Sequence, residues 1–313
     1  MQLDQELAGF QENRDSLITI GVFDGVHLGH KFLINKLKEL ASQRGLRSVV
    51  ITFGKHPHEV LAPHSQPPFL TDSVEKADLL KKEGVDSVII LTFTKRLSRL
   101  SARAFLELLQ KKLRMRGLVV GPDFVMGRDS EGDIATLHRL GREMGFTLTV
   151  IPPALKDGEI VSSTTIRNAL AEGNMEKVRL LMGRRFSLHG KVVRGTGRGA
   201  SLGFPTANLD ILPNQAIPAD GVYLTLVYVE SKVYRSLTNV GTNPTFGNSR
   251  RTIESHLFDL KGALYGHEIR IEFIGKLRDE RKFINPEELA RQINLDIQRA
   301  KEMLKVEAFA EHG

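Results

Sequence analysis

The stretch "SLITIGVFDGVHLGHKFLINKLKELASQRGLRSVVITF", residues 16–53, carries the pattern that decides the fold of the N-terminal half. "SLITIGVF" opens with an apolar run of strand length. "LGHKFLINKLKELASQRG" then sets Leu33, Leu37 and Leu40 on one helical face, with Gly45 placed as its C-cap. "SVVITF" (48–53) reads as the next strand. Strand, helix and strand in this order imply two parallel strands joined by a crossover. The rhythm continues outward: a helix near 73–83, a strand in "DSVIILTF", a helix over 101–115, a strand in "GLVVG", a helix over 131–143 and a strand in "FTLTVI". The expectation is a parallel α/β sheet with helices on both faces.

Ligands of such sheets bind outside the carboxyl ends of the strands. "GVFDGVHLGH" (21–30) falls at one of those ends. Gly21, Gly25 and Gly29 permit close backbone approach, and the helix start behind them offers unpaired N–H groups to an anion. The dinucleotide fingerprint G-x-G-x-x-G is absent, and no Gly-Lys-Ser/Thr follows to make a P-loop. Three readings remain for the H-x-G-H element, His27 and His30. It is a phosphate-binding turn whose imidazoles donate hydrogen bonds, a metal pair, or a packed glycine corner with two solvated histidines. No further His or carboxylate completes an obvious zinc set.

Composition narrows the function classes. At 313 residues the chain has room for two domains, and its 41% hydrophobic and 26% charged residues are those of a soluble globular protein. No apolar stretch is long enough to cross a bilayer, and the first residues lack the basic-then-apolar pattern of a signal peptide. Without cysteine there are no disulfides and no thiolate zinc site, so a cytoplasmic location is expected. The formal charge of +7 suits an enzyme of polyphosphate substrates or a nucleic-acid binder. There is no Trp and no dense Lys/Arg run with interleaved aromatics, so neither a nucleic-acid nor a membrane partner is expected.

After about residue 184 the period changes. "FSLHGKVV", "GVYLTLVYV", "KVYRSLTNVG", "TIESHLFDL" and "EIRIEFIGKL" alternate or run apolar over strand lengths, which predicts a small antiparallel β-barrel. From Pro286 the tail is helical, with Leu289, Ile293, Ile297, Ala300 and Leu304 along one stripe. The boundary is placed at "MGRRF" (182–186), giving domains 1–183 and 184–313. "GTGRGASLGFPTANL" (195–209) supplies Gly195, Gly197, Gly199 and Gly203 as a loop able to close over phosphates. Thr206 and Asn208, two apart in an extended segment, face the same way and form a hard oxygen site suited to Mg²⁺ on ATP. A glycine-rich hairpin leading into a strand is the other reading.

The motif Gly-x-Phe-Asp-Gly-x-His-x-Gly-His resembles the nucleotidyltransferase signature of the bacterial bifunctional riboflavin kinase/FAD synthetases. "SSTTIR" (162–167) resembles their second motif, with Ser163 or Thr164 expected to cap a helix running to Gly173 and Arg167 expected in its first turn. "VGPDFVMGRDSEGD" (120–133) resembles the third segment, in which Asp123 contacts the nucleotide. This segment departs from the usual Phe-Arg-Phe-Gly, since Val125 and Met126 follow Phe124. "HPHEVLAP" (56–63) is similar to a flavin- or ATP-side loop. "GFPTAN" matches the Mg·ATP segment of riboflavin kinases, "TIESHLFD" places Glu254 where they carry a general base, and "TNVGTNPTFG" (238–247), "LYGHEI" and "LRDERKF" fit the rest.

The resemblance covers nearly the whole chain and implies a nucleotidyltransferase-type sheet followed by a kinase barrel. It implies phosphorylation of riboflavin to FMN by ATP, then adenylylation of FMN to FAD with release of pyrophosphate. His27, His30, Arg167 and Glu254 are the implied catalytic residues. Gly21, Phe23, Asp24, Gly25, Gly29, Asp123, Ser162, Ser163 and Thr164 would meet ATP and its phosphates, together with the four loop glycines. His56, Pro57 and Asn239 would meet flavin, and Thr206 and Asn208 would meet Mg²⁺. The Val125/Met126 departure motivates a second reading, a riboflavin kinase with weak or absent adenylyltransferase activity.

Overall fold

The fold is built outward from β1 (Ser16–Ile20), whose five residues are all buried. In the computed structural model, residues 2–10, 13–62, 65–195, 199, 202–242 and 251–310 are described. They form two units, Met1–Thr165 and Ile166–Gly313. A strand buried on both faces must be central in a sheet covered by helices on either side. Five strands pair in the order β3-β2-β1-β4-β5, with β2 at Arg47–Phe53, β3 at Ser87–Leu91, β4 at Met115–Val120 and β5 at Thr147–Val150. Every ladder among them is parallel.

The helices are α1 (Gln2–Ala8), α2 (Leu28–Gln43), α3 (Pro57–Leu61), α4 (Ser73–Lys82), α5 (Ala102–Leu113) and α6 (Ile134–Met144). They divide between the two faces. Leu3 and Leu7 of α1, Phe105, Leu106 and Leu109 of α5, and Leu137 and Leu140 of α6 share one apolar cluster with Ile18 and Ile20. Ile34, Leu37 and Ala41 of α2 and Leu80 of α4 share the other with Leu17 and Val119. The parallel α/β expectation is therefore met. Two elements differ from it. The seven residues of α1 carry too short a pattern to be read as a helix, and "PHEVL" forms α3, because Pro57 at its first position presets a helical φ.

A hairpin of β6 (Leu155–Lys156) and β7 (Glu159–Ile160) leads to α7 (Ser163–Ala171) and α8 (Met175–Met182). In the second unit, six strands close a barrel in the order β10-β11-β12-β9-β8-β13. Their ranges are β8 Ser187–Val193, β9 Ala207–Ile211, β10 Gly221–Val229, β11 Lys232–Thr242, β12 Arg251–Leu257 and β13 Glu268–Arg278, and every ladder is antiparallel. Closure gives each of these six strands a partner on both sides. The terminal helix α9 (Pro286–Ala310) lays Ala300, Ile297, Met303 and Leu304 against Val222, Leu224, Leu237 and Ile274 on the outer face. The alternate residues of β10 and β11 point inward. There a fully buried hydroxyl chain joins Thr225 to Ser236 at 2.5 Å and to Thr238 at 2.7 Å, and Thr238 to Ser255 at 2.7 Å.

Gly190 of β8 sits where a Cβ would fall 2.1 Å from the backbone oxygen of Asp210. Backbone cannot yield as a flexible side chain does, so Gly190→Ala is expected to destabilise the barrel by about 2 kcal/mol. Denaturant unfolding followed by near-ultraviolet signals checks this. An unchanged midpoint would mean that the two strands do not approach so closely.

Candidate functional sites

The turn between β1 and α2 lies at the carboxyl edge of the sheet, beside the gap where strand order reverses between β1 and β4. Phe23, Gly25 and Val26 all take positive φ, at 52°, 83° and 36°. Such a run costs energy at Phe23 and Val26, and it survives because neighbours hold it. Gly25 is required: a Cβ there would lie 2.8 Å from Cδ1 of Leu70, in a left-handed conformation. The buried Asp24 clamps the turn. Its carboxylate accepts the N–H of Leu70 at 2.9 Å and of Thr71 at 3.2 Å, and the Gly25 N–H donates to Thr71 Oγ1 at 3.0 Å. The Gly21 N–H donates to Ile51 O at 3.0 Å.

His27 is the N-cap of α2, and its Nδ1 accepts the His30 N–H at 3.3 Å. A ring nitrogen that accepts carries no proton, so the neutral His27 ring holds its hydrogen on Nε2. The His30 ring stacks on it, with centroids 3.6 Å apart and 18° between planes, and meets the edge of Phe23 at 5.1 Å. Burial first, then the electrostatic influence of His27 and of the Lys76 charge, hold the His30 pKa well below that of a free imidazole. His30 Nδ1 is buried and has no hydrogen-bond partner among the described residues. Neutral imidazoles behind a helix N-terminus can present N–H donors to phosphate oxygens. Gly29 keeps the backbone close: a Cβ there would lie 2.7 Å from Val161 O.

"SSTTIR" meets this turn directly. Ser163 Oγ donates to Asp24 O at 2.9 Å. The helix cap expected at Ser163 or Thr164 is made by Ser162, whose Oγ accepts the Thr165 N–H at 3.1 Å. The helix thus begins one residue earlier than a cap at Ser163 would allow. Thr164 is exposed in its first turn, Arg167 falls in the second turn rather than the first, and α7 ends at Ala171. Asp123 is exposed in the turn after β4, within the unit that holds the histidines. His56 caps α3: its Nδ1 accepts the His58 N–H, while Glu59 accepts the His56 N–H at 3.1 Å. At the departing segment, Met126 pairs with Gly132 in an isolated bridge, and Val125 is exposed.

Lys76 belongs to this site although no motif marks it. It lies on the apolar side of α4 with Ala77 and Leu80, is 5% exposed, and donates from Nζ to Phe53 O at 2.6 Å. Burial lowers its pKa, against the opposing pull of Asp24 and Glu59. A lysine between apolar helix positions was the available signal.

A second constellation lies on the outer face of the barrel. Glu254 of β12 is in register with Asn208 of β9 on one side and with Asn239 of β11 on the other. Directly opposed residues share a face, so the three side chains form one row. Thr206 Oγ1 donates to Glu254 Oε2 at 3.5 Å. Two glycines after β8 lie close to the row: a Cβ on Gly195 would fall 2.2 Å from Asn208 Nδ2, and one on Gly199 would fall 3.3 Å from Thr206 Cγ2. Gly203 takes φ +85° at the end of that loop. Gly197 and residues 243–247 lie outside the described residues. A hydroxyl, an amide and a carboxylate gathered on one face are hard oxygen donors, and they fit Mg²⁺.

Comparison with known proteins follows the same division. A family model described as FAD synthetase matches residues 9–165, and one described as riboflavin kinase matches residues 182–304. The bifunctional riboflavin kinase/FMN adenylyltransferase of Escherichia coli (strain K12) is 38% identical over 91% of this chain and 92% of its own. The protein of the same description from Pseudomonas fluorescens is 37% identical over 96% of this chain and 97% of its own. A crystal structure described as a macrolide-efflux protein from Streptococcus pneumoniae has 30% identity and a TM-score of 0.84, covering 94% of this chain and 96% of that one. Among the described residues, no helix is long and apolar enough to cross a membrane.

The neutral His30 carries a pH consequence. The unfolded chain takes up a proton on this imidazole near 6.5, whereas the folded chain takes it up only at a lower pH. Between those values the unfolded state binds more protons, so this group's contribution to stability falls as pH drops below about 6.5. Thermal unfolding between pH 7.5 and 5 should show a shallower acid loss in His30→Asn than in the wild type. Parallel profiles would place His30 in water.

Proposed function

This chain belongs to the family of bifunctional riboflavin kinase/FMN adenylyltransferases, and we propose how its residues divide the two reactions. It is an enzyme of FAD biosynthesis, carrying a FAD synthetase half and a riboflavin kinase half. We assign adenylyl transfer to residues 1–183 and phosphorylation to 184–313, a division drawn from the change of period and the position of "MGRRF".

In the kinase half, Glu254 accepts the proton of the riboflavin 5′-hydroxyl. The hydroxyl oxygen then bonds to the γ-phosphorus of ATP as the bond to the bridging oxygen breaks, leaving FMN and ADP. Thr206 and Asn208 would hold Mg²⁺ bound to ATP, the glycines of 195–203 would meet the phosphates, and Asn239 would border the flavin. The observation that carries this half is the row Asn208–Glu254–Asn239 with Thr206 at its end. Mg²⁺ neutralises phosphate charge while it is bound.

In the other half, a phosphate oxygen of FMN attacks the α-phosphorus of a second ATP, and pyrophosphate leaves with the bridging oxygen. No covalent enzyme intermediate is required. His27 and His30 donate to the α-phosphate, where negative charge grows in the transition state. The start of α2 binds phosphate, and Ser162, Ser163, Thr164, Asp123 and Arg167 grip the rest of the nucleotide. Gly21, Phe23, Gly25 and Gly29 shape the turn, and Asp24 braces it through the loop at Leu70 and Thr71. His56 and Pro57 border the flavin. A cytoplasmic location belongs to the same reading, as do small-molecule partners with no nucleic acid.

Two substitutions separate the halves. Glu254→Ala should abolish FMN formation from riboflavin and leave FAD formation from supplied FMN unchanged. His30→Ala should do the reverse, lowering FAD formation about 100-fold or more, as loss of a transition-state donor does. Chromatography of the flavins reads both. Loss of both activities in either folded variant would contradict the division.

A further inference from the structure

One side chain of "TIESHLFD" has no part in the kinase reading on which this inference rests. His256 lies two residues beyond Glu254 on β12 and therefore on the same face of the strand. Its Nδ1 stands 2.9 Å from the carbonyl oxygen of Pro205. A carbonyl only accepts, so Nδ1 is the donor and carries a hydrogen. The ring meets Phe204 at 5.5 Å and Phe258 at 5.9 Å, both edge-on, which fixes its plane.

The place of this bond in the ladder gives it its meaning. β12 pairs with β9 at Glu254–Asn208 and Ser255–Ala207. One more pair would set His256 opposite Thr206, but β9 begins at Ala207 and Pro205 has no N–H to offer. At the point where backbone pairing stops, the His256 side chain makes the connection to the approaching segment. Thr206, next to the held carbonyl, reaches Glu254 only through a long 3.5 Å contact. The Phe204 N–H donates to Gly199 O at 2.8 Å, so the same segment also carries the end of the glycine loop.

We propose that His256 is a positioning residue of the kinase. It ties Pro205 to the strand that bears Glu254, and thereby sets the Thr206 hydroxyl and the glycine loop for Mg·ATP. It does not touch the reacting atoms, so its loss weakens nucleotide binding more than it slows the chemical step.

The test uses the full chain with His256→Phe, His256→Asn and His256→Gln. Phe keeps the ring between Phe204 and Phe258 but removes the donor, and Asn places an amide N–H where Nδ1 stood. Three quantities are read: the KM for ATP and the kcat of FMN formation, and the Kd of Mg·ADP by calorimetry without flavin. For His256→Phe, KM and Kd should rise together by about three- to tenfold, the loss of one hydrogen bond, with kcat within about twofold. His256→Asn should stay near the wild type, and FAD formation from supplied FMN should be unchanged throughout. Wild-type affinity in His256→Phe, or equal weakening in Phe and Asn, overturns the proposal. Should His256→Phe fail to fold, Asn against Gln decides: Gln carries its donor one methylene too far, and equal affinities overturn it. A wild-type chain that makes no FMN would instead remove the kinase reading itself.

Discussion

β1 runs through the centre of a parallel sheet, buried along its whole length between β2 and β4. A strand so placed can offer chemistry only where the chain leaves it, at the carboxyl end. There the chain must turn sharply into α2, and three of the four residues Phe23 to Val26 take positive φ to do so. The cost is held in place by a buried carboxylate: Asp24 gathers the backbone of Leu70 and Thr71, and Ser163 fastens onto the Asp24 carbonyl. Two segments 139 residues apart are thus joined at the point where the helix N-terminus and the two imidazoles meet.

The barrel reaches its site by different means. Its closed ladder puts Asn208, Glu254 and Asn239 in one row, and the hydroxyl chain from Thr225 to Ser255 ties β10, β11 and β12 together from inside. Buried hydroxyls that satisfy one another fix register without adding charge. The two halves therefore suit two kinds of phosphate chemistry. In the proposed division, the sheet would offer N–H donors to an α-phosphate, and the barrel would offer hard oxygens to a metal-bound nucleotide beside Glu254 as general base.

Much of this was legible in the sequence because its periods are long and clean. The strand–helix alternation of residues 16–150 and the alternation of Ile269, Ile271 and Phe273 leave little choice of architecture. The motifs at 21–30, 162–167 and 203–208 could be read because each needs particular residues at fixed spacing. What the sequence did not show depends on partners distant along the chain. Asp24 looks like a nucleotide contact until the Leu70 and Thr71 amides are seen on its carboxylate. Lys76 looks like a surface lysine until α4 turns it onto Phe53. The cap of α7 falls at Ser162 because four successive hydroxyl residues, Ser162 to Thr165, offer the same chemistry, and only the backbone chooses among them. The hydroxyl chain inside the barrel and the bond from His256 to Pro205 come from register, which alternation alone does not fix.

The central claim is that one chain holds two working sites, including an adenylyltransferase whose Phe124–Gly127 segment carries Val125 and Met126 in place of the usual Arg-Phe pair. The most direct measurement supplies FMN, ATP and Mg²⁺ to the purified wild-type protein and follows flavins and nucleotides together. The account predicts FAD with one pyrophosphate released per FAD and no ADP. FMN left unconverted, by a preparation that still turns riboflavin and ATP into FMN and ADP, would contradict it.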